Sequence, residues 1–264
     1  MPSPTEITVP QLSRIIGLPG APALVDVRPR EELDGDPRLI PTARHLDVQS
    51  VSNWANGYGR ERVVVYCRHG GDVSRGAAAW LRQAGGDAQT LEGGYEAWRT
   101  AGQPLTRTTT LPQRDQSGRT TWVTRARPKI IRIACPWLIR RFIDPNAVFL
   151  FVPPSDVAAV AERYRATPFD TGHGVWNDSG NACTFDVMLD EFNLGTKPLN
   201  QLAAIIRGAD TGRLDLTPQS AGLLATSLGF SRMYRDDQAQ LEATLPTYDA
   251  LYRWCRDGTD ETHG

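Results

Sequence analysis

Residues 63–75 read Val-Val-Val-Tyr-Cys-Arg-His-Gly-Gly-Asp-Val-Ser-Arg, an apolar, β-branched run that stops on Cys67 and opens into a polar loop. A thiol in that setting can act as a nucleophile. Arg68, His69 and Arg75 surround it with positive charge, and Gly70 and Gly71 permit the positive φ and close backbone approach that a ring of N–H donors around an anion requires. The Ala/Leu-rich stretch that follows would aim free helix N–H groups and a positive dipole end at the same place, which favours the reactive thiolate. The plainer alternative is a buried structural cysteine after a hydrophobic strand, but a structural turn has no need of so much positive charge beside the thiol.

The elements that must position Cys67 follow from periodicity. Residues 23–27 and 63–66 have the composition of buried strands, and they alternate with helical patterns around 10–17, 50–57, 75–84 and 94–101. That alternation predicts an α/β domain over residues 1–108, with a mainly parallel sheet flanked by helices and Cys67 at a strand's carboxyl end, where open sheets bind ligands. A polar stretch at 109–119 reads as a linker. Beyond it, helical patterns near 133–143, 155–165, 184–192, 198–209, 218–227 and 236–256, with a strand at 148–152, predict a predominantly helical second domain with few strands over 120–264.

Composition narrows the function. Lys plus Arg total 29 against 30 for Asp plus Glu, a formal charge of −1, so no global basic field points to nucleic acid. No apolar run approaches the roughly 18 residues of a membrane span, and Met1–Glu6 lacks the basic and apolar regions of a signal peptide; the expected location is cytoplasmic, with no membrane partner. The four cysteines, Cys67, Cys135, Cys183 and Cys255, form no CxxC pair, so neither a disulfide framework nor a zinc ribbon is expected.

Four features of residues 1–108 converge on one resemblance. Asp26-Val27-Arg28 with Glu31, then Ile40-Pro41-Thr42-Ala43-Arg44-His45-Leu46, the Cys67 loop, and Leu91-Glu92-Gly93-Gly94-Tyr95-Glu96-Ala97-Trp98 together resemble rhodanese-like domains. The resemblance implies a thiolate, Cys67, that takes sulfane sulfur from a small anionic donor such as thiosulfate, forms a persulfide, and passes it to cyanide or a thiol without a cofactor. It implies that the backbone of Arg68, His69, Gly70, Gly71, Asp72, Val73 and Ser74 cradles the transferred anion, with Arg68 and Arg75 steering the donor. Asp26 and Arg28 read as a supporting ion pair beneath the loop, and Gly94 and Trp98 as architectural. The serine of this loop falls one position later than in many such sulfurtransferases. Related cell-cycle phosphatases have an enlarged loop with an arginine inside it, where this chain has Asp72 and Val73, so sulfur transfer is the expected chemistry.

Residues 120–257 resemble a second family. Trp122–Lys129, Arg132–Asp144, Cys183-Thr184-Phe185-Asp186, Gly208-Ala209-Asp210 and Tyr248–Cys255 are similar to the C-terminal domain of ChrB-type chromate-resistance proteins. Arg125, Arg132, Arg140 and Arg141 are candidates for holding chromate or another oxyanion; equally, they suit the salt-bridged face of an amphipathic helix. His173, Cys183 and Asp186 form a mixed set that could hold zinc or another transition metal. The leading expectation is a sulfurtransferase linked to chromate resistance or oxyanion detoxification. The alternatives are a chromate-binding sensor without catalysis, and a thiol-dependent chromate or arsenate reductase using Cys67 with Cys135 or Cys183.

Overall fold

A computed structural model of the chain describes residues 5–172 and 174–261. It divides into two compact units, residues 1–111 with 141–143, and residues 112–140 with 144–264. The stretch expected as a linker is shared between them: its first residues close a 3-10 turn, Thr108–Thr110, in the first unit, and Arg114 pairs with Asp144 at 3.2 Å in the second.

The first unit is built from β1 (Glu6–Ile7), α1 (Val9–Ile15), β2 (Ala23–Asp26), α2 (Arg30–Gly35), β3 (Arg38–Leu39), β4 (Arg44–His45), α3 (Val51–Trp54), β5 (Arg62–Tyr66), α4 (Asp72–Gln83), β6 (Asp87–Leu91), α5 (Gly94–Thr100) and β7 (Thr106–Arg107). Its main sheet is parallel in the order β1-β6-β5-β2-β4, and β3 pairs with β7 antiparallel. Val63, Val64 and Val65 are buried on both faces of β5, as a parallel strand covered by helices requires. Helix α4 lays Ala77, Ala78 and Leu81 against Val63 and Val65, where small side chains let it approach the sheet. Helix α1 starts at a capping box, the Thr8 hydroxyl accepting from Gln11 N–H while the Gln11 side chain accepts from Thr8 N–H.

Strands β2 and β5 and most helices fall within a few residues of where periodicity predicts them; two elements leave no such pattern, and one helix starts earlier than predicted. Strand β6 is polar in composition yet pairs with β5 along its length, with Ala88 and Thr90 buried. Helix α2 is a single acidic turn and half. Helix α4 begins at Asp72, not 75, because Gly71 is its N-cap and Asp72 supplies a first-turn carboxylate to the positive end. The expected 68–74 loop is therefore a short loop, Arg68–Gly71, running into the first helical turn.

The second unit comprises β8 (Thr121–Arg125), α6 (Ile131–Phe142), β9 (Val148–Val152), α7 (Val157–Tyr164), β10 (Thr167–Pro168), α8 (Thr184–Glu191), α9 (Lys197–Asp210), α10 (Gln219–Met233) and α11 (Asp237–Arg253). Strands β10, β8 and β9 form a small parallel sheet in that order; β8 went unread as a strand because two residues of its five, Arg125 and Thr121, are polar and only half-buried. Helix α6 is not amphipathic in its setting: Ile133, Ala134, Cys135, Trp137, Leu138 and Ile139 are all buried, so it is a central helix rather than a surface one. Trp137 stacks on Phe185 and donates its indole N–H to Asp249 at 2.7 Å.

Candidate active site

Parallel pairing brings three chain segments to one sheet edge. Asp26 lies in register with Tyr66 and Val65 with Thr90, so β2, β5 and β6 deliver Asp26-Val27-Arg28, Cys67-Arg68 and Glu92-Gly93-Gly94 to the same carboxyl end. Asp26 and Arg28 are buried and paired, Nη2 to Oδ2 at 2.7 Å, and the guanidinium lies 3.8 Å over the Tyr95 ring. Arg28 also donates to the carbonyls of Asp36 and Arg38, which adds partners to a guanidinium that is otherwise cut off from water.

The loop is seated on the start of α5. Tyr95 and Glu96 N–H donate to the carbonyls of Cys67 and Arg68 at 2.9 and 3.0 Å. In planar trans peptides the N–H points opposite to the C=O, so the amides of Arg68 and His69 turn away from α5. Among the described residues the amides of residues 68–74 donate to no protein acceptor; Arg75 N–H, to Gly71 O, is the first to close a helical bond. A side chain at Gly70 would stand 2.7 Å from Leu91 O, and one at Gly94 would strike Cys67 O and Gly70 N, so both glycines are set by close backbone contact as well as by φ of 70° and 60°.

Cys67 is 7 % exposed, and its Sγ lies 3.3 Å from Ser74 Oγ, which itself donates to Gly71 O. When the sulfur is a thiolate, that hydroxyl proton can turn onto it. Arg68 pairs with Glu96 at 3.3 Å and Arg75 with Glu6 at 3.2 Å. Both pairs are solvent-exposed and worth about 0–1 kcal/mol, so either guanidinium can be drawn to an incoming anion at small cost. His69 and Asp72 are exposed, Val73 is half-buried against the core beneath α4, and Asp72 carries the helix-start charge.

In the second unit Arg125 and Arg132 both close on Asp170 at 3.1 Å, and Arg140 on Glu242 at 2.6 Å. Arg141 also has a partner. Burial holds the Asp170 carboxyl above its ordinary range and the Arg132 guanidinium below its own. Asp178 caps α8 through Thr184 N–H at 2.8 Å, and Asp210 accepts from Ile131 N–H at the start of α6.

Residues 122–255 match the family model described as ChrB, C-terminal domain, and residues 8–101 match the rhodanese-like domain. The chain belongs to the ChrB C-terminal domain family and carries a rhodanese-like domain before it. Protein ChrB of Cupriavidus metallidurans is 34 % identical over 146 residues, a match covering 54 % of this chain and 43 % of that protein, so the chain spans less than half of that relative. The thiosulfate sulfurtransferase GlpE of Pseudomonas syringae pv. syringae is 33 % identical over 78 residues, covering 29 % of this chain and 72 % of that one. A rhodanese-related protein from Thermoplasma volcanium, with 25 % identity and a TM-score of 0.33, covers 38 % of this chain and 95 % of its own.

The ChrB C-terminal domain places the metal candidates as follows. Asp186 is fully engaged: Oδ1 accepts from Arg207 at 2.7 Å, and Oδ2 accepts from Cys183 N–H at 2.9 Å and faces its Sγ at 3.2 Å. His173 lies outside the described residues, and among those described no group of three His, Cys, Asp or Glu stands ready to hold a metal. Cys183 and Cys135 are buried thiols, both pushed well above the ordinary thiol range by desolvation. Sequence reasoning missed Asp170 as the shared partner of two arginines, because nothing in the local pattern links residue 170 to 125 and 132. Asp210 was visible within Gly208-Ala209-Asp210, but not its proximity to Asp170 and Asp178.

Proposed function

We propose that the chain is a sulfurtransferase in which Cys67 attacks the outer sulfur of thiosulfate. A bond forms between Cys67 Sγ and that sulfur, the S–S bond of thiosulfate breaks, and sulfite leaves with the electron pair. The persulfide then gives its outer sulfur to an acceptor, returning Cys67 to the thiolate. The observation that carries this reading is the run of uncommitted amides, from Arg68 to Ser74, in the loop that follows Cys67 and the first turn of α4. Donors fixed before reaction stabilise a developing oxyanion without reorganisation, and removing one such donor typically costs ~10²–10³ in rate. Exposed Arg68 and Arg75 supply the attraction for a dianionic donor. Fusion to a ChrB C-terminal domain ties this chemistry to chromate resistance.

The alternatives are less well supported. A chromate sensor using Arg125, Arg132, Arg140 and Arg141 would have to displace partners each arginine already has. A reductase would need a second ready thiolate, and Cys135 and Cys183 are 0 % and 1 % exposed.

The test is thiosulfate:cyanide transfer together with intact-protein mass. The parent is expected to gain one sulfur atom on Cys67 after thiosulfate exposure and to form thiocyanate, and Cys67→Ser to do neither while unfolding at the parent's temperature. Undiminished transfer by the serine variant overturns the reading.

A further inference from the structure

Helix α10 turns its serines inward. The residues it buries are Ser220, Leu223, Ser227 and Ser231, and Ser220 Oγ donates to Ile205 O of α9 at 3.1 Å. Its outer face carries Ala221, Gly222, Ala225, Leu228 and Gly229, all exposed, and no charged residue stands anywhere from Gln219 to Ser231. A helix that borders water ordinarily shows the reverse distribution. Leu228 is 43 % exposed, and Met233, at the end of the helix, 71 %.

Two glycines sharpen the contrast. Glycine is the poorest helix former after proline, yet Gly222 and Gly229 lie in the helix interior, and a side chain at either would meet nothing within 4 Å. Packing inside this chain therefore does not call for them. Close approach of a backbone from outside does.

What covers the face is read from its pattern, which is symmetric about Ala225. Gly222 and Leu228 lie three residues to either side of it, and Ala221 and Gly229 four. An interface between two copies related by a two-fold axis joins one patch to itself, so a position before the axis meets the position equally far after it. With the axis at Ala225 and the two helices antiparallel, Leu228 of each copy fits over the partner's Gly222, and Ala221 faces the partner's Gly229. The charges agree with that pairing. Arg232, the one charged residue of α10, comes opposite the partner's Pro218, three residues past the exposed Asp215. Neither Arg232 nor Asp215 has an ion-pair partner among the described residues. We propose that α10 joins two copies of this chain, antiparallel about a two-fold axis at Ala225, through the apolar face between Ala221 and Gly229 and an Arg232 to Asp215 ion pair at each end.

Sedimentation equilibrium of the full chain tests it. The parent is expected to show twice the 29.1 kDa of one chain. Ala225→Glu and Ala225→Lys each set like charges face to face at the axis, and both introduced residues are good helix formers. Each variant alone is expected to dissociate, with Kd raised about tenfold or more. Mixed in equal amounts, the two are expected to recover the dimer, because unlike charges then meet; a partner of any other kind would not produce that recovery. Gly222→Leu checks folding, since it improves the helix while filling the seat of Leu228. It is expected to be monomeric with undiminished helical circular dichroism. A monomeric parent overturns the inference and leaves the face to a different protein or to the chain's own first domain. A Gly222→Leu protein that dimerises as tightly as the parent overturns it as well, and so does a mixture of the charged variants that stays monomeric.

Discussion

Asp210, the last residue of α9, keeps part of its surface in solvent, yet desolvation by its surroundings and repulsion from Asp170 and Asp178 raise its carboxyl from 3.8 to about 6. Arg132 and the Ile131 N–H pull the other way without winning. A carboxyl whose folded value is raised binds its proton more tightly in the native state, so its contribution to stability is fullest below pH 3.8 and is lost as pH rises through about 6. Asp210→Asn keeps an oxygen for Ile131 N–H and removes the charge. Its melting temperature is expected to exceed the parent's at pH 7, with the gap closing as pH falls to 4; a gap independent of pH would refute the assignment. The place of Cys67 at the strand's end and the Asp26/Arg28 ion pair were legible in the sequence, because each sits in a short segment whose residue types are read locally. The partners Glu96, Glu6 and Asp170 were not, since ion pairs across tens of residues leave no local pattern.

Elements decide whether the cradle exists. The loop takes its shape from α5, whose first amides hold the Cys67 and Arg68 carbonyls, and from Gly94, whose missing side chain lets the two backbones touch. Gly94→Ala puts a methyl group against Cys67 O and Gly70 N at a φ of 60°. The change is expected to cost on the order of 2 kcal/mol or more from backbone strain and collision. It should also slow persulfide formation by more than that stability loss alone explains, measured as loading rate under conditions where the variant stays folded. A loading rate equal to the parent's would mean that the seating on α5 does not shape the site. Strand β5 and helix α4 were readable from an apolar run followed by helical spacing. Strand β6 was not, because its half-polar sequence becomes a strand only by pairing with β5.

At the scale of the whole molecule, 29 basic against 30 acidic side chains leave no long-range field for a polyanion. Passage through immobilised DNA at roughly 0.15 M salt without retention is the expected outcome, since nonspecific binding is carried by phosphate neutralisation. Retention requiring higher salt for release would point to a basic face that the net charge conceals. No helix among the described residues is long and apolar enough to cross a membrane. The two family resemblances, the α/β and mostly helical characters, and the place of Cys67 at the end of an apolar strand were determined by the sequence alone, because composition shifts, periodicity and loop chemistry are local properties of the chain. Two things belonged to the tertiary structure: that Asp72 to Ser74 are helix rather than loop, and that Arg125, Arg132 and Arg140 of the second domain already lie against carboxylates. Each depends on which distant groups share a site, and that is settled only when the strands pair and the helices pack.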